Sequence, residues 1–273
     1  MRAAVALLFA VGLIGCDKVD NQSTSLALPT GLREVSGLAD AGPDSVWAHD
    51  DEHAIVHEVD VRDGHIVRSF ALGKPTLDGD FEGIAAVGNS LYLVTSDGVI
   101  YSFQAGEHRQ RVPFRAHDSG LGPRCEIEGL SRAPDDAYLL ILCKRLRSGE
   151  DIPRLEIYRW LRGSEHADLE PWRAIPLDRF LEASQRAEFA PSGLEWDAER
   201  ERLLVVSGRN QLLVELDAEG GVLATHRLDS SQHPQTEGIA ILPGCRLVLA
   251  DEGSETSRAR LSVYPCPKDS AGR

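Results

Sequence analysis

Ser36-Gly37-Leu38, Glu82-Gly83-Ile84, Glu128-Gly129-Leu130, Ser192-Gly193-Leu194 and Glu237-Gly238-Ile239 are one triplet written five times along the chain. Their glycines lie 46, 46, 64 and 45 residues apart. Repetition at about 40–50 residues marks blades or stacked units, each too small to bury its own apolar face. The long third interval has room for an insertion. Every triplet also has the same sequel. A turn comes first: Gly42-Pro43-Asp44, Gly88-Asn89, Pro134-Asp135-Asp136, Asp197-Ala198-Glu199 and Pro243-Gly244. An aliphatic run follows, at 45–48, 91–95, 138–142, 203–206 and 247–250. A third segment then alternates at 54–59, 98–103, 155–160, 211–216 and 259–264. These runs are too short for helices and are bounded by turn residues, so they read as strands.

Fourth strands are clear in the first and fourth repeats, at 66–72 and 222–228, after Asp63-Gly64 and Gly220-Gly221. Four antiparallel strands in about 45 residues make a propeller blade. The expectation is an all-β, five-bladed β-propeller, with six blades as the alternative count; only 177–189 looks helical. The fifth repeat ends at Tyr264 with no outer strand left. Residues 25–33 would supply it, closing the ring between the N- and C-terminal ends of the chain.

The first fifteen residues read as a leader. Arg2 is its positive n-region, and an apolar core runs from Ala3 to Ile14. That core is too short for a membrane span, which needs about 20 apolar residues. It meets Leu13-Ile14-Gly15-Cys16, which resembles the lipobox of bacterial lipoproteins. There the leader is cut before the cysteine, and acyl chains on the thiol and the new N-terminus anchor the protein. The expectation is lipidation at Cys16 and a polar tether over 16–25. One propeller domain then spans 26–268, and 269–273 form a disordered tail. Asp17 resembles the signal for retention at the inner membrane, so the periplasmic face of that membrane is favoured and the outer membrane is the alternative.

The formal charge is -14 at pH 7 and becomes -15 once Arg2 is removed. Such a surface repels phosphate backbones, which argues against a nucleic-acid partner and is compatible with cations. Four cysteines follow Cys16, in a compartment that permits disulfides. In an antiparallel hairpin, a residue entering one strand faces a residue leaving the next. On that geometry Cys125 pairs with Cys143, and Cys245 with Cys266.

In a propeller, residues just before the inner strand and just after the second strand share the top face, near the channel mouth. Those positions are acidic or polar here. Glu34, Glu82, Glu128 and Glu237 precede or open inner strands, and Glu195 lies on one; these five are the candidate metal ligands. Asp50, Asp97, Lys144, Arg209 and Asp251 follow second strands and are the candidate ligand-binding residues. Carboxylates gathered on one axis repel unless a cation or proton compensates. Calcium, with six to eight oxygen ligands, is the natural filler. The competing reading makes each Glu-Gly a blade-building element. There is no G-x-S-x-G elbow, P-loop or CxxC, so no catalytic residue is assigned.

The motifs Leu32-Arg-Glu-Val-Ser-Gly-Leu38, Asp80-Phe-Glu-Gly-Ile84, Glu126-Ile-Glu-Gly-Leu130, Pro191-Ser-Gly-Leu-Glu195 and Thr236-Glu-Gly-Ile-Ala240 resemble the SdiA-regulated (YjiK-like) family. The resemblance implies an envelope-associated propeller without an established activity. This chain departs from it in its lipobox, its cysteines and the basic Lys144-Arg145 pair. More distantly, the Glu-Gly-Leu/Ile repeats are similar to esterase-like phytase propellers, which use calcium to bind phosphate esters. Two functions follow as expectations. The favoured one is non-catalytic binding of a small-molecule ligand or envelope protein at an acidic top mouth holding Ca²⁺. The alternative is a Ca²⁺-dependent phosphoesterase or lactonase at the same place, with Glu82, Glu128 or Glu237 as the base.

Overall fold

Each triplet opens or enters the innermost strand of its own sheet. A computed structural model describes residues 23–147 and 153–265. The inner strands are Val35–Gly42, Phe81–Val87, Cys125–Arg132, Gly193–Asp197 and Thr236–Leu242. Five separate sheets are built outward from them by antiparallel neighbours, which gives a five-bladed propeller. Blade 1 continues with Ser45–Asp50, Ile55–Asp60 and Ile66–Leu72. Blade 5 uses Arg246–Asp251 and Arg260–Tyr264, and its outer strand is Thr24–Ala27 from the other end of the chain. Ring closure is therefore between termini, and it begins two residues inside the stretch read as tether. The leader, Cys16 and the tail at 269–273 lie outside the described residues.

Second strands are sandwiched between neighbouring blades, which explains their nearly continuous apolar character. Successive side chains point to opposite faces of a sheet. Leu139 and Ile141 therefore join Tyr92, Val94 and Trp160 on one side of blade 3, whereas Leu140 and Leu142 join Leu203 and Val205 on the other. The same division recurs around the ring, giving one apolar cluster at each of the five blade interfaces. Outer strands face water: Leu223 in Val222–Arg227 is exposed, and no residue of that strand is buried.

The triplet glycines are needed where inner strands crowd. A Cβ on Gly83 would lie 2.5 Å from the Leu130 amide nitrogen of the next blade and 2.9 Å from the Gly129 carbonyl carbon. A Cβ on Gly238 would lie 2.8 Å from Leu38 Cγ, across the point where blade 5 meets blade 1. Backbone approach this close leaves an axial cavity of only about 10 Å³ between the glycines, barely one water.

Two features were not visible in the strand pattern. The connection after blade 2's third strand first adds Arg111–Val112 to blade 1, parallel to Ile66–Leu72, before returning as blade 2's outer strand Phe114–Asp118. The stretch 177–189 forms only a 3₁₀ turn, Leu177–Arg179, and one helical turn, Ala183–Arg186. Cys125 and Cys143 are disulfide-bonded with their Cα atoms 5.7 Å apart, as hairpin geometry required. The second expected pair involves Cys266, which lies outside the described residues.

Candidate functional site: the two mouths of the channel

A single backbone device aims the triplet's first residue. In blade 1, Val35 pairs with Asp50 and Gly37 with His49, so Ser36 is an extra, bulged residue. The same shift isolates Glu82 in blade 2, Glu128 in blade 3 and Glu237 in blade 5. A bulge twists the strand and re-aims one side chain. In blade 4 the strand starts at Gly193, and Ser192 instead bonds the Thr236 carbonyl of blade 5 (2.6 Å).

The bulged acids meet an ammonium on the axis. Lys144, at the end of blade 3's second strand, donates to Glu128 and lies 3.7 Å from Glu126. Glu128 is 3% exposed, so this is a largely desolvated pair. The same ammonium acts on Glu82 of blade 2 and on Glu237 and Glu252 of blade 5. Ser36 of blade 1 donates to Glu82 (3.2 Å), and Gln235 donates to Glu252. Carboxyls of blades 2, 3 and 5 thus share one positive charge, and blade 1 joins them through Ser36 on Glu82.

That charge does not balance the carboxyls around it. Burial, then the neighbouring Asp80, pushes Glu82 up to about 7 against the pull of Lys144. Burial and Glu252 push Glu237 up to about 8. Burial, with Asp51 and Glu34 adding to it, pushes Glu252 up to about 7. The mouth therefore exchanges protons near neutral pH.

The other sequence-predicted residues divide into separate places. Glu34 pairs with Arg33 (3.1 Å) at the rim, near Glu252. Asp50 accepts the amide protons of Glu52 and His53 and shapes a turn. Asp97 accepts the Thr95 hydroxyl proton. Arg209 faces Glu188 at 3.8 Å on the exposed surface. Asp251 is fully buried, accepts from His233 Nδ1 (2.7 Å) and Thr236 Oγ1 (2.9 Å), and is turned into blade 5; His233 Nε2 meets the Tyr264 hydroxyl. Glu195 sits at the opposite end of the channel, with Asp40 and Arg132. Glu252, next to Asp251 after blade 5's second strand, falls at the top mouth as its position predicts, whereas the central place of Lys144 was missed; the basic residue in an acidic ring was the available signal.

Calcium needs several oxygens drawn to one point. Among the described residues, the one set of three carboxylate, thiol or imidazole ligand atoms within 4.8 Å of one another is Asp60, Asp63 and His65. It lies at a turn of blade 1, where Asp63 and His65 are exposed and the buried Asp60 is already paired with Arg62. The top-face acids are grouped around Lys144 rather than gathered into such a set.

Comparison with known proteins agrees with this fold. Residues 182–265, blades 4 and 5, match the SdiA-regulated family model. The glutaminyl cyclase of Myxococcus xanthus superposes with a TM-score of 0.59 at 14% identity, over 88% of this chain and 94% of that one. The PQQ-bound aldose sugar dehydrogenase of Streptomyces coelicolor gives 0.51 at 13% identity, over 90% and 99%. A luciferin-regenerating enzyme gives 0.53 at 9% identity, over 89% and 97%. At such identities the likeness is one of fold, and fold alone does not carry an activity. No curated protein shows significant sequence similarity to the chain.

Proposed function

We propose, from the SdiA-regulated match and the five-bladed fold, that this chain is a lipid-anchored envelope protein. It binds a cationic ligand or partner at its acidic top mouth and has no catalysis of its own. One observation carries this reading: carboxyls from three blades share a single ammonium, Lys144, and three of them are held back from full ionisation. A cation arriving at the mouth releases protons and gains carboxylate partners, which is favourable without any covalent step. Calcium is the first cation to try. Glu82, Glu237 and Glu252 would have to close on it to act as ligands, because their oxygens are not drawn to one point as they stand, with Lys144 remaining on Glu128. The lipobox-like Leu13-Ile14-Gly15-Cys16 supports the periplasmic side of a membrane, with Asp17 favouring the inner one. No helix among the described residues is long and apolar enough to cross a membrane.

The test is a melting curve of the detergent-purified protein in EDTA, in Ca²⁺ and with an oligolysine peptide, at pH 6 and pH 8. A cation-dependent rise that is larger at pH 8 and disappears in Glu82→Gln with Glu237→Gln supports the reading. No rise with either cation overturns it. Turnover of phosphate-ester or lactone substrates that appears only with Ca²⁺ would favour the hydrolase instead. Anchoring is tested separately, by incorporation of labelled palmitate that Cys16→Ser abolishes.

A further inference from the structure

Below the glycines, the trailing ends of the inner strands open into a second cavity, of about 270 Å³. Asp40, Ala86, Arg132, Glu195, Trp196 and Ile241 line it, so every blade contributes. The axial constriction separates it from the acidic mouth. Its polar groups are incompletely used. Glu195 is 94% buried (6% exposed); its Oε2 accepts from Ser131 Oγ at 3.0 Å, and its Oε1 has no hydrogen-bond partner among the described residues. The Nε of Arg132 is buried and also lacks a partner, although its NH2 group reaches Asp136 at 2.7 Å. Asp40 uses Oδ1 for the Gly42 amide (2.8 Å) and leaves Oδ2 open.

We propose that this cavity is a binding site for a small uncharged polyhydroxyl ligand of about monosaccharide size. A space of 270 Å³ holds about nine waters at bulk density. The Nε–H of Arg132, a buried donor without a partner, favours a ligand that supplies an acceptor. A hydroxyl both donates and accepts, so adjacent hydroxyls can satisfy Arg132 Nε–H, Glu195 Oε1 and Asp40 Oδ2 together. The lining charge is mixed: an anion would meet Asp40 and Asp197, and a cation would meet Arg132. Burial holds the Glu195 carboxyl well above its ordinary range, which keeps it uncharged and able to bond a neutral ligand. Ala86, Trp196 and Ile241 supply the apolar wall that such sites place beside a few polar groups.

Titration calorimetry of the detergent-purified protein tests this with D-glucose, D-galactose, D-ribose and N-acetyl-D-glucosamine. Putrescine and succinate serve as the cationic and anionic probes. At least one sugar is expected to bind saturably at millimolar or lower concentration. Arg132→Met and Asp40→Asn should each weaken it about tenfold, the loss expected for one hydrogen bond to a charged group. If Arg132→Met does not fold, Arg132→Lys carries the same expectation, because it keeps the charge and removes Nε–H. Glu237→Gln, at the other mouth, should not change it, which separates this site from the cation site. Binding by none of the four sugars, binding insensitive to Asp40 and Arg132, or binding of putrescine or succinate in their place would each overturn the proposal.

Discussion

At the leading ends of the inner strands, bulged Ser36, Glu82, Glu128 and Glu237 surround an ammonium. At the trailing ends, Asp40, Arg132, Glu195 and Trp196 enclose a cavity. The same five strands build both mouths, a few residues apart along each strand. The upper mouth obeys the repeat: one bulge in four blades delivers a Ser or Glu to the same place, and the charges accumulate. The lower mouth departs from it. Two residues beyond the triplet glycine stand Ala39, Ala85, Ser131, Glu195 and Ala240, and the two polar members bond each other across blades 3 and 4. Repetition therefore makes a collective electrostatic site, and departure from repetition makes a shaped one.

The separation of the two mouths rests on the glycines, so the largest effect should come from there. In Gly83→Ala the new methyl meets backbone atoms that cannot rotate away. Overpacking of this kind costs about 3 kcal/mol, read as a lowered urea midpoint at unchanged slope. A variant as stable as its parent would show that the inner strands can spread, and the two sites would then be one channel.

Next comes Lys144→Met. Removing one partner of a buried pair leaves an uncompensated charge. Because Lys144 is 30% exposed, the expected loss is about 2 kcal/mol at pH 8. It should shrink at pH 5, and millimolar Ca²⁺ should restore part of it. An equal loss at both pH values would mean that Lys144 acts through packing of its methylenes rather than its charge.

The five blades, the ring closure and one disulfide were legible because repeats and hairpins are local, periodic facts. Strand edges at 66–72 needed no tertiary information, and neither did the Cys125–Cys143 pairing. Asp50, Asp97 and Asp251 were read as one class by position, yet they differ in what their oxygens bond. Asp50 and Asp97 shape turns, whereas Asp251 is locked to His233 and Thr236. Which way a side chain points at the end of a strand depends on bulges and loops that alternation does not encode. Glu195 was assigned to the acidic ring for being an acid on an inner strand. Being two residues past its glycine puts it at the other end of the axis, and that offset was countable in the sequence. The partners of Glu195 were not countable, because Asp40 and Arg132 come from blades 1 and 3.

The two mouths should also answer pH differently. Glu82, Glu237, Glu252 and Glu195 all have pKa values raised above the ordinary 4.5 in the folded chain, principally by burial. The folded state then binds more protons than the unfolded one, so this stability is complete below about pH 4.5 and is lost as pH rises through 7 to 8. At the upper mouth the loss is shared. Glu237→Gln should flatten only part of the slope between pH 6 and 8, since Glu82 and Glu252 remain and Lys144 tempers all three. At the lower mouth it belongs to one carboxyl, faced by Asp40, Asp197 and Arg132. Glu195→Gln keeps a neutral group that still accepts from Ser131, so at pH 5 its unfolding free energy should lie within about 0.5 kcal/mol of the parent. At pH 9 the parent must ionise a buried group or hold its proton, and the variant should be the more stable by about 3–4 kcal/mol. Urea unfolding of both variants at pH 5, 7 and 9 measures this crossing. A Glu195→Gln curve parallel to the parent across that range would mean that the carboxylate is already ionised and stabilised by Arg132. The lower cavity would then carry charge like the upper mouth, and the contrast between the two would be one of shape alone.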